Sequence, residues 1–301
     1  MTDASPLPQA LEKRNEPLTL RIFQSLWGMS QLPFEGGPEW SVAEKVDRIA
    51  AGGFDGIDIG WTPDLPCEEA VERARAAGLD YGLVCFPRSV EGFREQVATF
   101  RALDPAPIYL NMQPIPKVFS AEEGAALLSE WIWTAEDAGF RTLVETHRDR
   151  MTTDLRFTLT LMDLVPEMRM VADLSHFVVG QEFAWPVDDE DQALVRRVLE
   201  RSDMFHGRVA SREQVQIAVG WEHHRQWLDL FLGWWEEGFR GWRQRSGPDD
   251  ELIFVTELGP PWYAITGPDG KELSDRWDDA LALQRHVRGI WERLESAVAA
   301  G

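Results

Sequence analysis

The sequence predicts an α/β protein built as a single (β/α)8 barrel, and three observations predict it. Eight short apolar runs bounded by turn residues alternate with longer stretches of helical spacing. The runs are nearly continuous in apolar residues, as in parallel strands covered on both faces. The seven units between Ile22 and Phe254 average about 33 residues, the size of a right-handed βα unit.

The strands are expected at residues 20–26, 56–59, 81–86, 107–111, 142–145, 169–173, 204–209 and 252–257. Helical spacing follows the fourth of them in Leu127, Leu128, Trp131, Ile132 and Ala135, and the eighth in Leu283, Val287, Ile290, Trp291, Leu294 and Val298. The longest connection, 210–250, holds Trp221, Trp227, Trp234, Trp235 and Trp242. Together with Phe231 and Phe239, most of these form one stripe, either the core face of a seventh barrel helix or a face buried against another subunit. His223 and His224, adjacent and so about 100° apart on that helix, are expected to be solvated. An open doubly wound sheet is the structural alternative. It lacks support, because no GxGxxG follows the first strand and the chemically rich residues are scattered over many strand ends. The division expected is an N-terminal surface arm over 1–18 and a catalytic TIM barrel over 19–301, with no linker between domains.

Composition excludes several classes of partner. Thirty Lys and Arg stand against 51 Asp and Glu, a formal charge of −21, and no basic cluster offsets it. Nucleic acid is therefore not an expected partner, since a phosphate backbone rewards a basic face. No run approaches the roughly 18 apolar residues of a membrane helix, so no membrane is expected either. Cys67 and Cys85 form neither a CxxC pair nor a disulfide framework. With residues 1–19 lacking a signal-peptide core, this points to the cytoplasm.

In a barrel of this kind the site lies at the C-terminal ends of the strands. Glu145 ends Thr142-Leu143-Val144, Asp173 ends Met170-Val171-Ala172, His206 follows Met204-Phe205, and Glu257 ends Ile253-Phe254-Val255-Thr256. Three carboxylates in one barrel mouth repel unless a cation joins them. Two Glu, one Asp and one His form a mixed oxygen and nitrogen set suited to one divalent ion, Mn2+ first, with Mg2+, Co2+ or Zn2+ as alternatives. His147, His176 and Arg208 stand two or three residues beyond these ligands. Each histidine either holds a ligand carboxylate or contacts substrate. Arg208 either pairs with Glu257 or Asp173 or receives a substrate oxygen.

The segments Val144-Glu145-Thr146-His147-Arg148, Ala172-Asp173-Leu174-Ser175-His176, Phe205-His206-Gly207-Arg208 and Thr256-Glu257-Leu258-Gly259-Pro260 resemble the xylose-isomerase-like TIM-barrel superfamily. It includes sugar-phosphate isomerases and epimerases, ketose 3-epimerases, inosose dehydratases and apurinic endonucleases. The resemblance runs from about residue 20 to 297. It implies Glu145, Asp173, His206 and Glu257 as metal ligands and His176 and Arg208 as substrate contacts. No Asp-x-His follows His206, a departure from the three-zinc endonuclease branch.

The resemblance further implies an isomerase or epimerase acting on a sugar or polyol ketone through an enediolate, with Glu145 and Glu257 exchanging the proton from opposite faces. A metal-dependent dehydratase of a cyclic polyol ketone such as an inosose or dehydroshikimate shares that intermediate, and Arg208 suits a carboxylate-bearing substrate. A barrel that only binds metal or a small molecule is the reading from another class. Trp27, Trp61, Phe86, Pro87, Asn111, Gln113 and Trp262 lie at or just beyond other strand ends and either shape the pocket or pack the rim. The expected partner is a small-molecule sugar or polyol. A homo-oligomer is open.

Overall fold

The computed structural model describes residues 18–118 and 120–299. The eight expected strands form: β1 (Thr19–Ser25), β2 (Gly56–Gly60), β3 (Asp80–Cys85), β4 (Leu110–Met112), β5 (Thr142–Glu145), β6 (Met170–Ala172), β7 (Ser202–Gly207) and β8 (Glu251–Thr256). All pair in parallel with their sequence neighbours. The barrel closes where β1 pairs with β8, from Thr19 opposite Glu251 to Gln24 opposite Thr256.

Nine α-helices are found among the described residues: α1 (Val42–Ala51), α2 (Cys67–Ala76), α3 (Val90–Arg101), α4 (Ala121–Asp137), α5 (Leu155–Leu164), α6 (Ser175–Gly180), α7 (Asp189–Arg201), α8 (Arg225–Arg245) and α9 (Arg276–Ala299). Five start at a residue whose side chain accepts a backbone N–H three positions on: Ser41, Ser89, Ser120, Asp154 and Asp188. Such caps satisfy donors that the first helical turn leaves unpaired. No described helix is long and apolar enough to cross a membrane.

Fold and expectation differ in detail. The arm proposed over 1–18 lies outside the described residues except for Leu18, which is buried at the foot of β1. The fourth strand, expected from 107, begins at Leu110; Pro107 carries no N–H for a ladder, while Ile108 N–H and the Tyr109 carbonyl still bond to β3. The tryptophan stripe belongs to the core: Trp227, Trp234, Trp235 and Trp242 on α8 are all buried. Trp235 meets Phe254 edge-on at 5.0 Å, and Phe239 meets Phe205 at 5.2 Å, so α8 packs on β7 and β8. His224 corrects the reading of a solvated pair. It sits in a 3-10 turn, Glu222–His224, ahead of α8 and is 6% exposed, with Nδ1 2.9 Å from the carbonyl of Ala218.

Alternation along the strands divides the interior in two. One set of apolar side chains packs between sheet and helices. The other, Phe23, Tyr109, Leu143, Val171, Met204, Ile253 and Val255, fills the barrel itself. Among these, the Tyr109 ring occupies space that only a glycine on β3 leaves free, since a Cβ on Gly82 would lie 1.9 Å from Tyr109 Cζ. Gly82→Ala is expected to cost at least about 1–3 kcal/mol, read by denaturant unfolding, because overpacking displaces this ring. At the N-terminal end of the barrel, Asp203 binds Arg169 through two contacts of 2.7 Å and Arg245 at 2.9 Å. That end of the fold serves stability.

Candidate metal centre

The four expected ligands converge for a reason visible in the strand register. Glu145, Asp173, His206 and Glu257 each stand two residues beyond a barrel-filling side chain, namely Leu143, Val171, Met204 and Val255. A strand period of two therefore turns all four toward the barrel axis, above the packed interior. One donor atom of each lies within 4.8 Å of the other three. His206 Nδ1 is the hub, 3.0 Å from Glu257 Oε2 and 3.8 Å from both Glu145 Oε1 and Asp173 Oδ2.

These spacings suit a bound divalent ion, whose bonds of about 2.0–2.2 Å set neighbouring donors roughly 3–4 Å apart. Asp173 Oδ2 adds a second indication, being fully buried without a hydrogen bond. Arg208 Nη1 approaches it at 3.1 Å but donates to His176 Nε2, also at 3.1 Å. Four of the other carboxylate oxygens are held by neighbours. Asn111 Nδ2 donates to Glu145 at 2.6 Å and Gln113 Nε2 at 3.1 Å. Ser175 donates to Asp173 through its backbone N–H at 3.1 Å and through its hydroxyl. Arg208 Nη2 donates to Glu257 at 2.6 Å, and its Nε donates to the Glu257 carbonyl at 2.9 Å.

Without an ion the cluster resolves its own charge. Burial raises Glu145 to about 8, with Glu257 and Asp173 adding to the shift against His206. Burial alone would raise Asp173 and Glu257 too, but Arg208, with His176 for Asp173 and His206 for Glu257, outweighs it and holds both below the ordinary carboxylate range. Burial alone would lower His206, yet Glu145 and Glu257 drive it well above its usual value. At pH 7 the ion-free site therefore keeps a proton on Glu145 and a second on His206. Metal binding is expected to release both, so affinity rises about tenfold per pH unit for each proton displaced. Calorimetry in buffers of different ionisation enthalpy reads the release, and an affinity flat between pH 6 and 8 would contradict it.

The two other histidines join the centre from its side. Burial lowers His147 to about 4 and His176 well below its usual value, so both are neutral at pH 7. Their ring centroids are 4.0 Å apart, and both come within 4.8 Å of Glu145. His147 Nδ1 lies 2.5 Å from the Arg148 carbonyl and so carries the proton, leaving Nε2 as an acceptor. His176 Nε2 accepts from Arg208, which places its proton on Nδ1. That buried N–H has no hydrogen-bond partner among the described residues. A second ion among Glu145, His147 and His176 would have to displace Arg208, so these residues fit hydrogen bonding to a ligand better than metal binding.

A search of solved structures finds the same architecture elsewhere. One match is a xylose isomerase-like TIM barrel protein from Mycobacterium smegmatis in complex with magnesium, at a TM-score of 0.54 and 11% identity, covering 91% of this chain and 98% of that one. The shared fold is a TIM barrel. The same barrel architecture appears in a D-allulose 3-epimerase from Methylomonas sp., at a TM-score of 0.56 and 14% identity, with coverage of 92% and 99%. A third match is a probable 3-DHS dehydratase, AsbF, from Bacillus anthracis, at 0.53 and 14%, with coverage of 88% and 98%. No family model matches the chain. Among curated proteins nothing matches either.

Two residues at this centre, Tyr263 and Asp58, are not named by the sequence reading. Tyr263 is the main one: its ring lies 4.7 Å from the Arg208 guanidinium, 4.8 Å from that of Arg148 and 6.4 Å from His176. Trp27 packs edge-on against it at 5.2 Å. Trp262, which the sequence puts forward, is 98% exposed instead, on a backbone with φ of 79°. Asn111 and Gln113 orient Glu145. Asp58 also went unread. It lies deep in the barrel, accepts a 2.7 Å bond from the Tyr109 hydroxyl, and is raised by burial to about 7. A lone Asp inside the apolar run of β2 was its signal.

Proposed function

We propose that the chain is a divalent-metal-dependent isomerase or epimerase acting on a sugar or polyol ketone through an enediolate. The observation that carries this reading is the set of four buried donors, Glu145, Asp173, His206 and Glu257, gathered at coordination spacing around His206 Nδ1. When bound, Mn2+ or a similar ion would supply Lewis-acid polarisation of the substrate carbonyl and its neighbouring hydroxyl.

The side chains then have distinct tasks. Glu145 and Glu257 stand on different strands of the mouth, and each has two carboxylate oxygens. One oxygen can hold the ion while the other takes or returns the α-proton. His176 presents its unpartnered Nδ1–H to a substrate oxygen, and His147 offers Nε2 as an acceptor. Arg208, fixed by Asp173, Glu257 and His176, holds the second carboxylate in place and compensates charge. Tyr263 and Trp27 cover the centre and exclude water.

The test combines elemental analysis of the purified protein with NMR of α-proton exchange in D2O against ketoses, inososes and dehydroshikimate. About one ion per chain with exchange on a panel member is the expected result. The product then separates epimerisation from loss of a β-hydroxyl. A metal-loaded protein that exchanges no α-proton on any of them overturns the reading and favours a barrel that only binds.

A further inference from the structure

We propose that the substrate carries a carboxylate, and that Arg148, beside Tyr263, is the residue that receives it. This inference rests on the proton chemistry proposed above and names its substrate class.

Arg148 differs from the other cations at the mouth. Arg208 is committed to Asp173 and Glu257. Arg150 pairs with Asp149 at 3.6 Å and donates to Gln113 Oε1 at 3.2 Å, and Lys117 pairs with Asp149 as well. Arg148 is half-buried, yet among the described residues no carboxylate forms an ion pair with it. Its guanidinium lies 4.8 Å from the centroid of the Tyr263 ring, the ring that also borders Arg208 and His176. A chain with 51 acidic residues has partners to spare, so one arginine without a counter-ion beside the site requires an explanation.

Charge balance supplies it. Glu145, Asp173 and Glu257 bring three negative charges to the centre. A divalent ion and Arg208 cancel them. Arg148 then adds a positive charge in a half-buried place where its hydrogen bond is to the neutral Tyr263 hydroxyl and not to a carboxylate, an arrangement that favours an anion. A neutral ketose leaves that charge standing, whereas a monoanion offsets it. The planar guanidinium fork matches a carboxylate through two parallel hydrogen bonds. A phosphate ester, nearer two negative charges, asks for more donors than one arginine provides.

The first arm of the test uses D-gluconate and D-glucitol, which share a polyol chain and differ in the carboxylate, titrated into the Mn2+-loaded full chain. Gluconate is expected to bind about tenfold tighter or better, and in Arg148→Gln this advantage shrinks by about that factor, while Arg148→Lys recovers part of it. Chelation of the ion by gluconate would survive the substitution, so the loss isolates Arg148. An advantage unchanged in Arg148→Gln overturns the proposal. The second arm compares α-proton exchange on D-fructose, D-fructose 6-phosphate, 5-keto-D-gluconate and 3-dehydroshikimate. Exchange favouring a keto acid, with the loss in Arg148→Gln falling on KM, supports it. Preference for the neutral ketose or the phosphate ester overturns the carboxylate while leaving the proton chemistry standing. Absence of exchange on all four, with the gluconate advantage intact and Arg148-dependent, counts against the proton chemistry and supports the anion site.

Discussion

Glu257→Gln lowers turnover by about 10³-fold or more at saturating Mn2+, and Glu145→Gln does the same, because an amide can neither carry the proton nor add charge to the ion. The two variants separate in the metal-free protein. Glu145 has a folded-state proton affinity near 8, above the ordinary value of 4.5. Its favourable contribution is therefore complete below pH 4.5 and is lost as the pH rises through about 8. Gln at this position is neutral throughout, so metal-free Glu145→Gln gains on the parent as the pH rises from 4.5 and is the more stable of the two at neutral pH and above. Glu257 is shifted the opposite way by Arg208 and His206, and its stabilising contribution is present above 4.5. Glu257→Gln accordingly weakens the metal-free fold at neutral pH. Thermal unfolding across pH 5–9 reads both trends. Retention of substantial turnover by both variants would show the acid/base assignment to be wrong.

The second large effect is on stability. Arg208 is 1% exposed and binds two of the three carboxylates, so Arg208→Met leaves Asp173 and Glu257 buried without their cation. Removal of one partner from a buried pair costs about 3–5 kcal/mol. The loss is expected in full in the metal-free protein and in reduced form with Mn2+, since the ion takes over the compensation. Urea unfolding with and without the ion gives the two values. Equal losses would mean that the carboxylates do not share one ion.

The barrel was legible because parallel strands buried on both faces leave apolar runs that turn residues delimit. The convergence of the four candidate ligands was legible because each closes such a run, and the period of two then carries them to the axis. Legibility ended where loops decide position. Tyr263 reaches the centre only through the turn at Pro260 and Pro261 and the positive φ of Trp262, which sends the tryptophan outward and leaves its neighbour facing Arg208 and Arg148. No periodicity foretells which of two adjacent aromatics such a turn will bury. His224 was misread because helical geometry was assumed where a 3-10 turn and a bond to Ala218 hold it. Arg148 was quoted only as part of a motif. Its significance lies in the carboxylate it lacks among the described residues, and that requires three dimensions.

The account's central claim is that Glu145, Asp173, His206 and Glu257 share one divalent ion. Anomalous diffraction from crystals grown with Mn2+ tests it most directly. One peak is expected within about 2.0–2.3 Å of His206 Nδ1 and of an oxygen from each of the three carboxylates. A peak elsewhere, or none at the four-donor cluster at neutral pH, would contradict it.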